Sequence, residues 1–241
     1  MTRERFVQVD DSRFYVKLLG ENNSKLTVVM DAGYGDFSKA WDSVIGDISL
    51  YAKVMIYDRA GLGKSEKSSN SRISSEMVKE LKNLLIEAKV NPPYILVGHS
   101  FGGVNMRMFA TEYQHEVCGL VLIDSTPEDY RERFLPTMSI EFQKAYNEQF
   151  VYEGNYYEFM ESLRELKETK RKLNVPLIVL SAGKKAHYSK KSQDLWNEMQ
   201  KDLLEISTNG ELVIAKNSAH YIQNDEPEVV ISAIRKLIDC L

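Results

Sequence analysis

Cysteine is scarce in this chain: Cys118 and Cys240 are the two in 241 residues. Two thiols cannot build the multi-bridge framework that staples small extracellular folds. Both read as small buried or half-buried side chains, Cys118 opening an apolar strand and Cys240 in the last helical turn. Uninterrupted apolar runs are short, and none approaches the roughly 20 residues of a membrane-spanning helix. The opening Met1-Thr2-Arg3-Glu4-Arg5-Phe6 lacks the apolar core of a signal peptide. These absences predict a soluble cytoplasmic protein with no membrane partner. Positive charge is not in excess either. Lys and Arg number 31 against 35 Asp and Glu, a formal net charge of −4, which leaves no cationic footprint for a nucleic acid. The four histidines form no Cys/His cluster at metal-ligand spacing, so no metal is expected. No G-x-G-x-x-G opens a helix, so no dinucleotide or other cofactor is expected. The partner left is a small-molecule substrate, and composition sets no oligomeric state.

What is present is an alternation of strand and helix signals along the whole length. Arg5–Val9 and Arg13–Leu18 read as a hairpin across Asp10-Asp11-Ser12. Leu26–Met30, Lys53–Tyr57, Tyr94–Val97, Gly119–Ile123, Leu177–Leu180 and Leu212–Ala215 read as short buried strands. Ser75–Lys89 carries Met77, Leu81, Leu84, Leu85 and Ala88 on one helical face. The last helix is predicted to start at Asp225-Glu226-Pro227-Glu228, with Asp225 capping, Pro227 in the first turn and Glu228 closing a capping box. This alternation predicts an α/β fold, a mostly parallel sheet with helices on both faces. The length suffices for one large domain with a full core.

One segment breaks the rhythm. Residues 126–174, roughly fifty, carry no strand signal until the strand at Leu177, far more than an ordinary connection. The segment is rich in charge and in aromatics: Tyr130, Phe134, Phe142, Tyr146, Phe150, Tyr152, Tyr156, Tyr157 and Phe159. It reads as a helical lid inserted into a core made of residues 1–125 and 175–241. Some of its aromatics are expected to line a substrate cavity.

Gly98-His99-Ser100-Phe101-Gly102 carries the chemistry. An apolar strand runs into it and helically spaced apolar residues run out, so Ser100 sits on a sharp strand-to-helix turn. Glycines at 98 and 102 remove side chains that would collide there. The turn presents the serine hydroxyl at the carboxyl end of the sheet. It also aims the Phe101 amide, in the first helical turn, at any negative charge that forms nearby.

On Val97–Gly103, on Tyr57-Asp58-Arg59-Ala60-Gly61-Leu62-Gly63-Lys64-Ser65 and on Ser218-Ala219-His220, the chain resembles the α/β-hydrolase superfamily over nearly its whole length. The resemblance implies a mostly parallel eight-stranded sheet and a Ser–acid–His triad in that chain order. It makes Ser100 the nucleophile. His220 becomes the base, since it follows the last strand at the edge where Ser100 emerges. His99 should leave its strand on the opposite face, as packing or support. His115 and His187 read as surface or solvated residues.

The acid stays open. Many members of this family carry it just after the strand that here is Leu177–Leu180, but Ser181–Tyr188 holds no carboxylate. Asp124, at the end of the preceding strand, is the first candidate. Asp194 and then Glu128 or Asp129 follow. A second amide for a developing oxyanion is expected from Tyr34, in Asp31-Ala32-Gly33-Tyr34-Gly35-Asp36. Relatives often read His-Gly where this chain has Asp31-Ala32. The Asp58–Ser65 turn lacks the glycine spacing of a phosphate loop, and the resemblance gives Asp58 and Arg59 a buttressing role. The function implied is a serine hydrolase of the carboxylesterase type, acting on small or medium acyl esters. The alternatives are another bond cleaved by the same triad (amide, lactone, thioester or C–C) or a ligand receptor with little turnover.

Overall fold

The computed structural model describes residues 2–20, 25–169 and 171–240. Their strands form one eight-stranded sheet. In chain order these are β1 (Arg3–Val9), β2 (Ser12–Leu19), β3 (Thr27–Asp31), β4 (Lys53–Tyr57), β5 (Tyr94–His99), β6 (Val117–Ile123), β7 (Leu173–Ala182) and β8 (Ser207–Ala215). Across the sheet the order is β1-β2-β4-β3-β5-β6-β7-β8. β2 pairs antiparallel with both β1 and β4, and the pairs from β4 to β8 are parallel. The expected α/β architecture is the one observed.

Strand residues alternate between two cores. Val29, Leu96, Leu122 and Val179 face one way, against α2 (Ser74–Glu87) and α3 (Phe101–Glu112), which follow the short α1 (Ile45–Ile48). Val28, Met30, Val97, Ile123 and Leu180 face the other, against Trp41, Ile45 and Ile48 and the C-terminal helix. A parallel sheet covered on both faces needs apolar residues at every position, which is why these strands read as continuous apolar runs.

β3 leads sideways to β4, whereas β5 leads the opposite way to β6. The loops after β3 and β5 therefore diverge, and a crevice opens between them at the carboxyl ends of the strands.

Between β6 and β7 the chain forms α4 (Tyr130–Arg133), α5 (Ile140–Glu148) and α6 (Tyr156–Glu168). Asn155 caps α6 reciprocally with Glu158, the capping-box arrangement. Phe150, Phe159, Leu163 and Leu166 enter the core beside α2 and α3. Tyr130, Phe134, Leu135 and Met138 instead build a third cluster with Trp196 and Met199 of α7 (Lys190–Asp202). The insertion is thus packed into the body of the molecule.

Three local expectations are corrected. β7 starts at Leu173 and not at Leu177, Asn174 and Pro176 having interrupted its apolar run. Asp225 does not cap the last helix. It ends the short α8 (Ile222–Asp225), and its Oδ2 accepts from the Ala219 amide at 2.8 Å; the loop holding His220 takes the carboxylate, and α9 (Pro227–Asp239) starts without a side-chain cap. Cys240 is exposed, not buried. Among the described residues no helix is long and apolar enough to cross a membrane.

Candidate active site

Ser100 lies between β5 and α3 with φ of +52°, a conformation that costs an L-residue about 1–3 kcal/mol and clusters at functional sites. Its amide donates to Ile123 O of β6 at 3.0 Å. Glycine is obligatory on both sides. A Cβ at Gly98 would stand 2.5 Å from Gly103 Cα, and one at Gly102 would stand 2.2 Å from Asp31 O. The second approach seats the first turn of α3, with the Phe101 amide, directly against the loop after β3.

Asp124 follows β6 and also has a positive φ, +43°. Its amide donates to Leu180 O of β7 at 2.7 Å. The carboxylate is fully buried and saturated with donors. Oδ2 meets His220 Nδ1 at 2.6 Å and Lys185 Nζ at 2.5 Å. Oδ1 accepts from the Ala182 amide at 3.0 Å and from Trp196 Nε1 at 2.6 Å. Burial pushes this carboxyl up, but the Lys185 ammonium and the His220 hydrogen bond outweigh it and hold it well below the usual carboxylate range. The other acid candidates lie elsewhere. Asp194 is exposed on α7, Glu128 binds Arg107 at 2.7 and 2.8 Å, and Asp129 binds Arg133 at 3.2 Å.

The His220 loop is held from three directions: Asp124 on the ring, Asp225 on the Ala219 amide, and His99 on the backbone. His99 Nε2 donates to His220 O at 2.9 Å and the two rings lie 4.7 Å apart. A carbonyl only accepts, so Nε2 carries the proton of a neutral His99 ring. Burial, then the nearby His220 charge, lowers the His99 pKa to about 3. His115 is exposed after α3, whereas His187 is exposed at the wall of the cavity described below. Solvent was the expected surrounding of His187; its position on the loop that supplies Lys185 brings it to the cavity as well.

The loop after β3 is organised by Arg59. Its guanidinium donates to Asp31 Oδ1 at 2.5 Å, Ala32 O at 2.8 Å and Gly33 O at 2.7 Å, and it forms a buried ion pair with Glu153 of the insertion. Asn105 of α3 adds a bond to Asp31 Oδ2 at 3.0 Å. Asp31 therefore supplies this loop's support in place of histidine. Asp58 meanwhile accepts from the Ser38 and Lys64 amides, both at 2.8 Å, and closes its own turn. Tyr34 packs edge-on against Phe101, Phe150 and Phe159, and its hydroxyl accepts from the Gly154 amide at 3.0 Å.

Ser100, His220, Phe101 and Tyr34 line one cavity of about 420 Å³. Its other walls carry six aromatic side chains, Tyr130, Phe142, Tyr146, Phe159, Tyr188 and Trp196. A larger, more open groove of about 790 Å³ runs along α6 and contains neither Ser100 nor His220.

Sequence reading missed three residues of this site: Lys185, Trp196 and Glu153. Lys185 had a visible signal, because it stands in the loop where relatives carry the acid. Trp196 and Glu153 had none, since their contacts span 72 and 94 residues.

Comparisons with known proteins agree with the architecture. A family model of the alpha/beta hydrolase fold matches residues 27–198. The chain is 36% identical over 233 residues to the Uncharacterized protein YqjL of Bacillus subtilis, covering 96% of this chain and 90% of that protein. It is similar in structure to carboxylesterase CesB from Bacillus subtilis, with a TM-score of 0.69 and 15% identity over 99% of this chain and 92% of that one. It is equally similar to the epoxide hydrolase CorEH, with a TM-score of 0.70 and 17% identity over 99% of both chains. Two different chemistries share this fold, so the likeness speaks to the fold alone.

Proposed function

The chain belongs to the α/β-hydrolase fold family, and we propose that it is a serine hydrolase cleaving small or medium carboxylic esters through an acyl-enzyme. The observation that carries this reading is the Asp124 Oδ2–His220 Nδ1 contact of 2.6 Å, with His220 and Ser100 lining one cavity. An ionised carboxylate only accepts, so Nδ1 keeps the ring proton and Nε2 is free to act as a base.

In the proposed reaction Ser100 Oγ adds to the ester carbonyl as its proton passes to His220. The Phe101 and Tyr34 amides bind the oxyanion. The tetrahedral intermediate collapses and the alcohol leaves with that proton. Water, deprotonated by His220, then adds to the acyl-enzyme and releases the acid, restoring Ser100. A serine at the elbow supports acyl transfer over epoxide opening, which in this family uses an aspartate there. The aromatic walls favour acyl or aryl groups, and we propose that the insertion acts as their lid.

Hydrolysis of p-nitrophenyl esters of increasing acyl length tests the reading. The expected result is turnover that Ser100→Ala abolishes. Equal turnover by that variant, or none by the wild type on any ester, amide, lactone or thioester offered, would refute it; a wild type that bound such compounds without cleaving them would instead fit a ligand receptor.

A further inference from the structure

We propose that Lys185 is a positioning residue that shares Asp124 with His220 and so sets the pH below which His220 stops accepting the serine proton. This rests on the serine-hydrolase reading above. Three observations carry it. The Lys185 ammonium lies 2.5 Å from Asp124 Oδ2, the same oxygen that His220 Nδ1 meets at 2.6 Å. The lysine side chain is 8% exposed and the carboxylate 0%, so solvent screens the pair little. The ammonium also stands 3.5 Å from the Trp196 ring centroid and 5.0 Å from that of Tyr188, a cation–π seat that fixes its place.

In a plain Asp–His couple the carboxylate's whole negative charge favours the imidazolium. Here a second cation already neutralises that carboxylate. Protonating His220 then puts two cations on one oxygen, which resists protonation as the medium turns acidic. The cost is borne in the transition state, where the imidazolium must form. The arrangement exchanges some proton-accepting strength for a base that stays neutral, and so available, at lower pH.

Among the described residues the other titratable groups around the pair are these. From the His220 loop comes Tyr221, whose ring lies 5.6 Å from that of His220 and whose hydroxyl donates to Asp36, and from the Lys185 loop comes His187, exposed at the cavity wall. From β5 comes His99, neutral and behind His220. From its own loop and the insertion come the phenols of Tyr188, Tyr130 and Tyr146, all raised by burial. From α7 comes Trp196, which is uncharged. Asp225 is turned to the Ala219 amide.

The test uses the full chain in wild-type, Lys185→Met, Lys185→Gln and Lys185→Arg forms. The rate of Ser100 labelling by a fluorophosphonate is followed against pH, and the His220 ring is titrated by NMR, assigned with His220→Gln. Losing one charge at this range should move the acid limb, and the ring titration with it, up by about one pH unit or more in the Met and Gln variants. Lys185→Arg should keep the wild-type midpoint. Coincident midpoints for wild type and both neutral variants would overturn the proposal. If wild-type Ser100 failed to label, the serine-hydrolase reading would fall, while the NMR titration would still decide whether Lys185 governs His220.

Discussion

Arg59 and Glu153 stand 94 residues apart and form an ion pair buried at 3% and 0% side-chain exposure. The pair joins the insertion to the loop after β3, since Arg59 also holds the Ala32 and Gly33 carbonyls. Removing the sole partner of a buried charge costs about 3–5 kcal/mol; without Glu153, Arg59 keeps Asp31, so the cost falls below that range. Glu153→Ala should therefore lower the urea midpoint, by the equivalent of about 1–3 kcal/mol for the unpaired hydrogen-bond donors it leaves. It should also reduce kcat more than it raises KM, because the Tyr34 amide loses its anchor. An unchanged midpoint would show that the insertion is not latched there.

Asp124 should matter where Asp194 does not. Asp124→Asn replaces the acceptor of the Nδ1 proton and should lower kcat on the order of 10⁴, as loss of the correct tautomer does in other triads. The variant should remain folded, because an asparagine fits the space of the carboxylate and still accepts through its amide oxygen from the Ala182 amide and Trp196 Nε1. Asp194→Asn should leave kcat within about twofold, as an exposed surface substitution does. Steady-state kinetics with near-UV circular dichroism checks both, and the reverse pattern would move the acid.

His99 predicts an acid-labile fold. Its folded pKa is about 3 against an ordinary 6.5, so between those values the unfolded chain binds the extra proton. The sign follows: the stability linked to His99 is complete above 6.5 and drains away as the pH falls towards 3. A depressed pKa is worth about 1.4 kcal/mol per unit, so the loss is several kcal/mol. His99→Gln keeps a donor for His220 O and does not titrate. Its urea midpoint should fall less steeply with acid than the wild type's; parallel curves would contradict this.

The fold was largely legible because its signals are local. The apolar strands, the spaced residues of α2 and the glycines around Ser100 each declare themselves within a few positions. Asp124 and His220 were legible as positions at one sheet edge, but their contact depends on β6, β7 and β8 lying side by side, which periodicity does not encode. Lys185, Trp196 and Glu153 stayed hidden because their roles arise from packing across the insertion and α7. That packing also changes what a deletion would do. Removing the insertion would strip Phe150, Phe159, Leu163 and Leu166 from the core, so the segment is better probed by point substitution.

Phe142 is such a point. It lines the cavity and packs on Tyr188 with ring centroids 6.3 Å apart. Phe142→Ala should widen the cavity and shift preference towards longer acyl chains. The expected shift in relative kcat/KM is about 10-fold, in line with a few methylenes of apolar contact. An acyl-length profile identical to the wild type's would remove this part of the insertion from the substrate path.

The central claim is that Ser100 is a nucleophile activated by His220. Its most direct test is covalent: intact-mass and peptide mass spectrometry after exposure to a fluorophosphonate. The expected result is one adduct per chain, located on Ser100, absent from Ser100→Ala and slowed on the order of 10⁴ in His220→Gln. An adduct on another residue, or labelling of Ser100→Ala at the wild-type rate, would contradict it.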